Sequence, residues 1–126
     1  MMPSGGHPGF IESFGYALQG IAAAWRRERN IKVMTGMGAL AVVLGVALRV
    51  DAVGWAVIVV CIGMVLCAEL LNSGIEAVVD LASPDIHPLA KLAKDYACAG
   101  VYLLSVAAAI AGCIIYGRAL VALIAG

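Results

Sequence analysis

Glu69, Asn72, Glu76 and Asp80 are separated by three, four and four residues. At about 100° per residue they fall within an arc of roughly 80° on one face of a helix. Glu69 directly follows the uncharged run Ala52 to Ala68, and Leu70, Leu71, Ile75, Val78 and Val79 continue the apolar pattern around the acids. A solvated helix end would account for Asp80 alone. It does not account for the set, because an ionisable group at such depth costs about 2.5–3.5 kcal/mol on insertion scales and so marks a function or a pair. Carboxylates with an amide among them suit two chemistries: oxygen ligation of a hard divalent cation, and removal of a proton from a hydroxyl.

Few residues elsewhere can join them. Glu28 closes the first amphipathic segment, and Lys94 and Asp95 open the last apolar one. Glu28, Glu69, Asn72, Glu76, Asp80, Lys94 and Asp95 then form one cluster at a single membrane boundary. Several carboxylates with one lysine suit Mg²⁺ shared with nucleotide phosphates. Two function classes fit at this level: an enzyme acting on a lipid head group, or a small ion- or proton-translocating protein using the acids as a relay. The grouping at one boundary favours the enzyme, since the outer halves of the spans carry no charge and no polar path crosses the bilayer.

The elements that must position this cluster follow from composition. The chain has 126 residues, 63% hydrophobic and 13% charged. A soluble fold this small could not hide so much apolar surface, so the bilayer is its solvent. The formal net charge is zero and there is no basic tract, which excludes a nucleic-acid partner. Cys61, Cys67, Cys98 and Cys113 all lie in apolar stretches without a CxxC pair or a histidine at ligand spacing, and read as small hydrophobes. No charged, apolar and cleavage pattern opens the chain, so no leader is expected.

Residues 1–9, rich in Gly, Pro and Ser, read as a disordered tail in which His7 has no role. The rest, 10–126, reads as a single all-α membrane domain. Phe10, Phe14, Leu18, Ile21 and Trp25 recur every three or four residues, which predicts an amphipathic helix over about 10–30. Its basic end suits either a membrane surface or the flank of the bundle. Three spans are expected at about 32–49, 52–81 and 91–117, with a tight turn at Arg49–Asp51 and a break at Ala82–Pro88, where two prolines interrupt the pattern. Trp25 and Trp55 read as interfacial anchors, and Tyr116 and Arg118 as the outer anchors of the last span. Arg26, Arg27, Arg29, Lys32, Lys91 and Lys94 fall on one side, with only Arg49 and Arg118 on the other. The N-terminus and the acidic cluster are therefore expected to be cytoplasmic. Glycines and alanines dense in the spans favour close helix contact and a homo-oligomer.

The run Glu69-Leu-Leu-Asn72-Ser73-Gly74-Ile75-Glu76-Ala-Val-Val-Asp80 resembles the signature of the small prokaryotic diacylglycerol kinase and undecaprenol kinase family. His87-Pro-Leu-Ala-Lys91-Leu-Ala-Lys94-Asp95 and Glu28-Arg29-Asn30 resemble it too, and the likeness runs from about Ser13 to Gly117. It implies a surface helix plus three transmembrane helices, assembled as a homotrimer with sites shared between subunits in the bacterial inner membrane. It implies Glu69 as general base on the lipid hydroxyl, with Cys98 also at the lipid, and Glu28 and Glu76 holding Mg²⁺ with ATP. Lys94 and Asp95 would contact the nucleotide phosphates, and Asn72 and Asp80 would support the site. Tyr16, Asp85 and His87 match positions that line the nucleotide in relatives, although His87 before Pro88 also suits a plain turn residue. The wording of the last two motifs is closer to the Gram-positive, undecaprenol-type branch. Gly9 stands where the diacylglycerol branch tends to carry a basic residue. Undecaprenol is therefore the first expected substrate and diacylglycerol the alternative.

Overall fold

The computed structural model describes residues 6–126. The expected tail lies outside them for its first five residues, and residues 6–9 form no helix. Four helices follow: α1 (Phe10–Arg27), α2 (Arg29–Ala47), α3 (Ala52–Ala82) and α4 (Pro88–Ala125). The last three are long and apolar enough to cross a membrane. Among the described residues there is no strand, so the fold is all-α, as its periodicity predicts.

The surface helix stops at Arg27, three residues short of the expected end, and the first span starts at Arg29. Glu28 alone makes the corner. Its extended backbone (φ −106°, ψ 117°) ends α1 and begins α2. A surface-lying helix can feed a span only through such a change of direction, and a charged residue at the boundary can make it while its side chain stays near water. The stripe Phe10, Phe14, Leu18, Ile21 and Trp25 is exposed along α1. Protein does not cover it, which suits insertion into the head-group boundary. Lys32 sits 6.0 Å above the Trp25 ring, tying the foot of α2 to the end of α1.

At the far end, α2 closes in a paired hydrogen-bond motif. The Arg49 amide donates to Val46 O at 3.2 Å and the Val50 amide to Gly45 O at 3.0 Å. The reversal needs a left-handed residue, and Arg49 supplies it at φ 54°. Asp51 then caps α3, accepting from the Gly54 amide at 2.8 Å, and holds Arg118 of α4 at 2.9 Å. Gly45 lets α2 approach α3 here: a Cβ on it would stand 2.8 Å from Trp55 Cη2.

The last helix is longer than the expected 91–117. Pro88 takes its first position and His87 Nδ1 accepts from the Leu89 amide at 3.1 Å, a start in which the proline's fixed φ and missing N–H cost nothing. Arg118 does not stop it, because its side chain leaves sideways to Asp51 and the residues beyond stay apolar and helical to Ala125. The packing is chiefly α3 on α4, with α2 on α3, and α2 meets α4 at few positions. Among the described residues only Ala24, Ile31, Val50, Ile58 and Val101 are buried apolar residues. So open a bundle fits lipid, which gives exposed apolar side chains nothing to escape from.

Candidate functional site

Glu69 is the buried charge of the structure, 2% exposed among the described residues. The hydrophobic run before it carries α3 without a break, so the carboxylate sits inside the bundle, at the level where α1 bends into α2. Four side chains decide its surroundings. Glu28 from the α1–α2 corner, Asn30 from the first turn of α2 and Glu76 from two turns along α3 all act on its charge, and the Asn30 amide faces its carboxylate. Asn72, one turn on, donates from Nδ2 to Glu76 Oε1 over a long 3.4 Å. Its carbonyl oxygen is buried and has no hydrogen-bond partner among the described residues.

Glu28 and Glu76 both act on the Glu69 charge, and like charges so placed favour a cation that enters between them. The site's donors are all oxygens, which is the set for a hard divalent cation. Mg²⁺ asks for one or two carboxylates and takes its other positions from water and phosphates. Glu28 and Glu76 fit that requirement, and the buried Asn72 oxygen is a further acceptor on the residue that bonds Glu76. Among the described residues no three His, Cys, Asp or Glu side chains converge as a ready-made metal cage. A site that borrows phosphate oxygens needs none.

The second part of the cluster joins α3 to α4. Lys94 Nζ donates to Asp80 Oδ1 at 2.5 Å. Asp95 is drawn away from the acids and pairs with Lys91 along α4. Tyr16 is half-buried on α1, and α1 touches both α2 and α3. Asp85 is exposed in the α3–α4 loop, where its backbone carbonyl accepts from Ser83 Oγ at 3.0 Å. His87 has a structural task as the α4 cap through Nδ1. Cys98 is exposed on α4. The fold therefore assembles Glu28, Glu69, Asn72 and Glu76 closely, links Asp80 to Lys94 beside them, and leaves Asp85, Asp95 and Cys98 pointing to open surroundings. Asn30 was not among the expected site residues. Its signal was present, since it lies two residues after Glu28, on the first helical turn beyond the corner.

A sequence model of a family described as prokaryotic diacylglycerol kinase matches residues 15–116. That stretch contains every residue of the cluster. The chain belongs to the prokaryotic diacylglycerol kinase family. A diacylglycerol kinase of Synechocystis sp. is 37% identical over 106 residues, 83% of this chain and 61% of that protein, so the match spans less than two thirds of that relative's length. An undecaprenol kinase of Bacillus subtilis is 36% identical over 85% of this chain and 87% of its own. A diacylglycerol kinase of Escherichia coli is 36% identical over 83% of this chain and 86% of its own. Members of this family are thus named for two lipid alcohols, at nearly equal distance from this chain.

Proposed function

We propose that this protein transfers the γ-phosphate of ATP to the hydroxyl of a membrane lipid alcohol, undecaprenol first, at the cytoplasmic face of a bacterial inner membrane. The observation that carries this reading is the burial of Glu69 among Glu28, Asn72 and Glu76. Six of eight basic residues gathered at the same end of the bundle support the orientation.

In this reading the lipid hydroxyl oxygen attacks the γ-phosphorus. The bond from that phosphorus to the β–γ bridging oxygen breaks, ADP leaves, and the hydroxyl proton passes to Glu69. Phosphoryl transfer asks the protein mainly for alignment and charge neutralisation. Glu28 and Glu76 would hold Mg²⁺, which when bound neutralises the phosphate oxygens. Lys94 would exchange Asp80 for a phosphate, a step its partly exposed position allows. Asp95, Tyr16, Asp85 and His87 would line the nucleotide, Asn72 and Asp80 would support the acids, and Cys98 would stand near the lipid. Small residues along the spans and the uncovered apolar faces favour a homo-oligomer, and the family resemblance implies that it is a homotrimer.

Undecaprenol is preferred on the wording of Glu28-Arg29-Asn30 and His87-Pro-Leu-Ala-Lys91 and on Gly9. Diacylglycerol stands second, supported by relatives of that name at equal identity. The test is transfer of label from γ-labelled ATP to each lipid separately in mixed micelles, with and without Mg²⁺. Magnesium-dependent labelling of a lipid is expected. No labelled lipid, together with a proton or cation flux into liposomes without ATP, would replace the kinase by the relay.

A further inference from the structure

Between the three spans lies an apolar slot of about 460 Å³, within the roughly 300–1,000 Å³ range of ligand pockets. Met37 and Ala41 of α2, Ile58 and Cys61 of α3, and Ala109 and Gly112 of α4 are among its walls. It follows α2 from Val33 to Leu44, about 17 Å at ~1.5 Å per residue, more than half of a ~30 Å hydrocarbon core.

Its two ends differ. At the inner end its walls include Met34 and Val65, one helical turn from Asn30 and Glu69 respectively, so it ends one turn short of the buried carboxylate. At the outer end it includes Tyr116, whose hydroxyl donates to Ala41 O at 2.6 Å and bridges α4 to α2. That bond occupies the donor of the one strongly polar group at this end. An apolar space so lined stays dry and accepts hydrocarbon, whereas a polar head group would find almost nothing to bond. Along its side the slot is open, because α2 and α4 meet at few positions.

We propose that this slot receives the hydroxyl-proximal hydrocarbon chain of the lipid alcohol, with Tyr116 as its floor. The assignment rests on the lipid kinase reading for what the chain is attached to. It adds how the hydroxyl is brought to Glu69: the chain is threaded below the carboxylate, and a lipid longer than the slot leaves sideways between α2 and α4. Residues along the slot then select chain shape, independently of the nucleotide end.

The experiment uses a long-chain lipid alcohol with a diazirine in mid-chain, irradiated in bilayers with the full chain and mapped by mass spectrometry. Labelling is expected at Ile58, Cys61 or Gly112, the less exposed walls of the slot, and Ala109→Phe should cut it about tenfold by filling the slot. Labelling confined to the outward residues Val59, Leu103 and Ile110, which are exposed, would overturn the proposal. So would unchanged slot labelling in Ala109→Phe. Cross-links from Cys113 to a second copy of the chain, with no lipid label, would assign the slot to an interface and overturn it as well. If Ala109→Phe fails to fold, the label map of the unsubstituted protein decides. Phosphorylation is measured on the same sample. Slot labelling without phosphorylation would keep the slot and remove the kinase, while phosphorylation with outward labelling would do the reverse.

Discussion

Replacing Glu69 by glutamine separates what the carboxylate does from what it costs. The two side chains have nearly the same shape, so the packing around a residue that is 2% exposed is kept. Only the ability to take a proton goes. General-base assistance contributes about 10²–10⁴-fold, which is roughly 2.7–5.5 kcal/mol at ~1.36 kcal/mol per decade. The turnover of Glu69→Gln should fall by that factor at saturating ATP and lipid. Binding of a fluorescent ATP analogue should stay within about threefold, since Glu28 and Glu76 are untouched. Stability should not fall with activity. A carboxylate at membrane depth carries an insertion cost of about 2.5–3.5 kcal/mol, and Glu28 and Glu76 add repulsion, so the neutral amide should resist denaturing detergent as well as glutamate does, or better. Initial rates in mixed micelles and detergent-induced unfolding measure the two halves. A variant retaining more than a tenth of the rate would refute the base assignment. One that loses stability as well as rate would show Glu69 to be a structural partner of Asn30.

Three further outcomes follow from the contacts. Lys94→Ala should lose about 10²-fold in turnover over ATP KM, the scale of removing one charged donor from a transferring group, whereas Asp80→Asn, losing only the resting partner of Lys94, should lose far less; steady-state kinetics compares them. Asp51→Ala should destabilise by about 1–2 kcal/mol through loss of the α3 cap, and Arg118→Ala by less, since it removes one ion pair; detergent unfolding ranks the two. Arg49→Gly should gain stability of roughly 1 kcal/mol by relieving the left-handed backbone, in the same assay, with kinetics unchanged because the turn lies at the end opposite Glu69.

The sequence made the element types legible and left their joints obscure. Long apolar runs at helical period announced α2, α3 and α4 because a chain in lipid must bond its backbone internally. The corner at Glu28 was not legible, since nothing in Arg26 to Lys32 breaks a helix by propensity. One extended residue there is imposed by geometry. The helix of the last span runs on past Gly117 to Ala125, which Arg118 as a boundary anchor does not announce, and the structure gives its charge a partner in Asp51. The face of Glu69, Asn72, Glu76 and Asp80 was readable from spacing alone. Which of its members is buried was not, because burial depends on how the other helices pack around α3, bringing Asn30 of α2 and the corner residue Glu28 to act on the Glu69 charge. The slot between the spans was also invisible, being a matter of how little α2 and α4 touch.

The most direct test of the account offers undecaprenol and diacylglycerol at equal mole fraction in one micelle, with ATP and Mg²⁺, and reads the ratio of the two phosphorylated lipids. The account predicts that both the total product and its bias depend on this protein, with undecaprenyl phosphate in excess. Excess phosphatidic acid would reverse the substrate order, and the absence of either phosphorylated lipid would contradict the assignment of the Glu69 site to lipid phosphorylation.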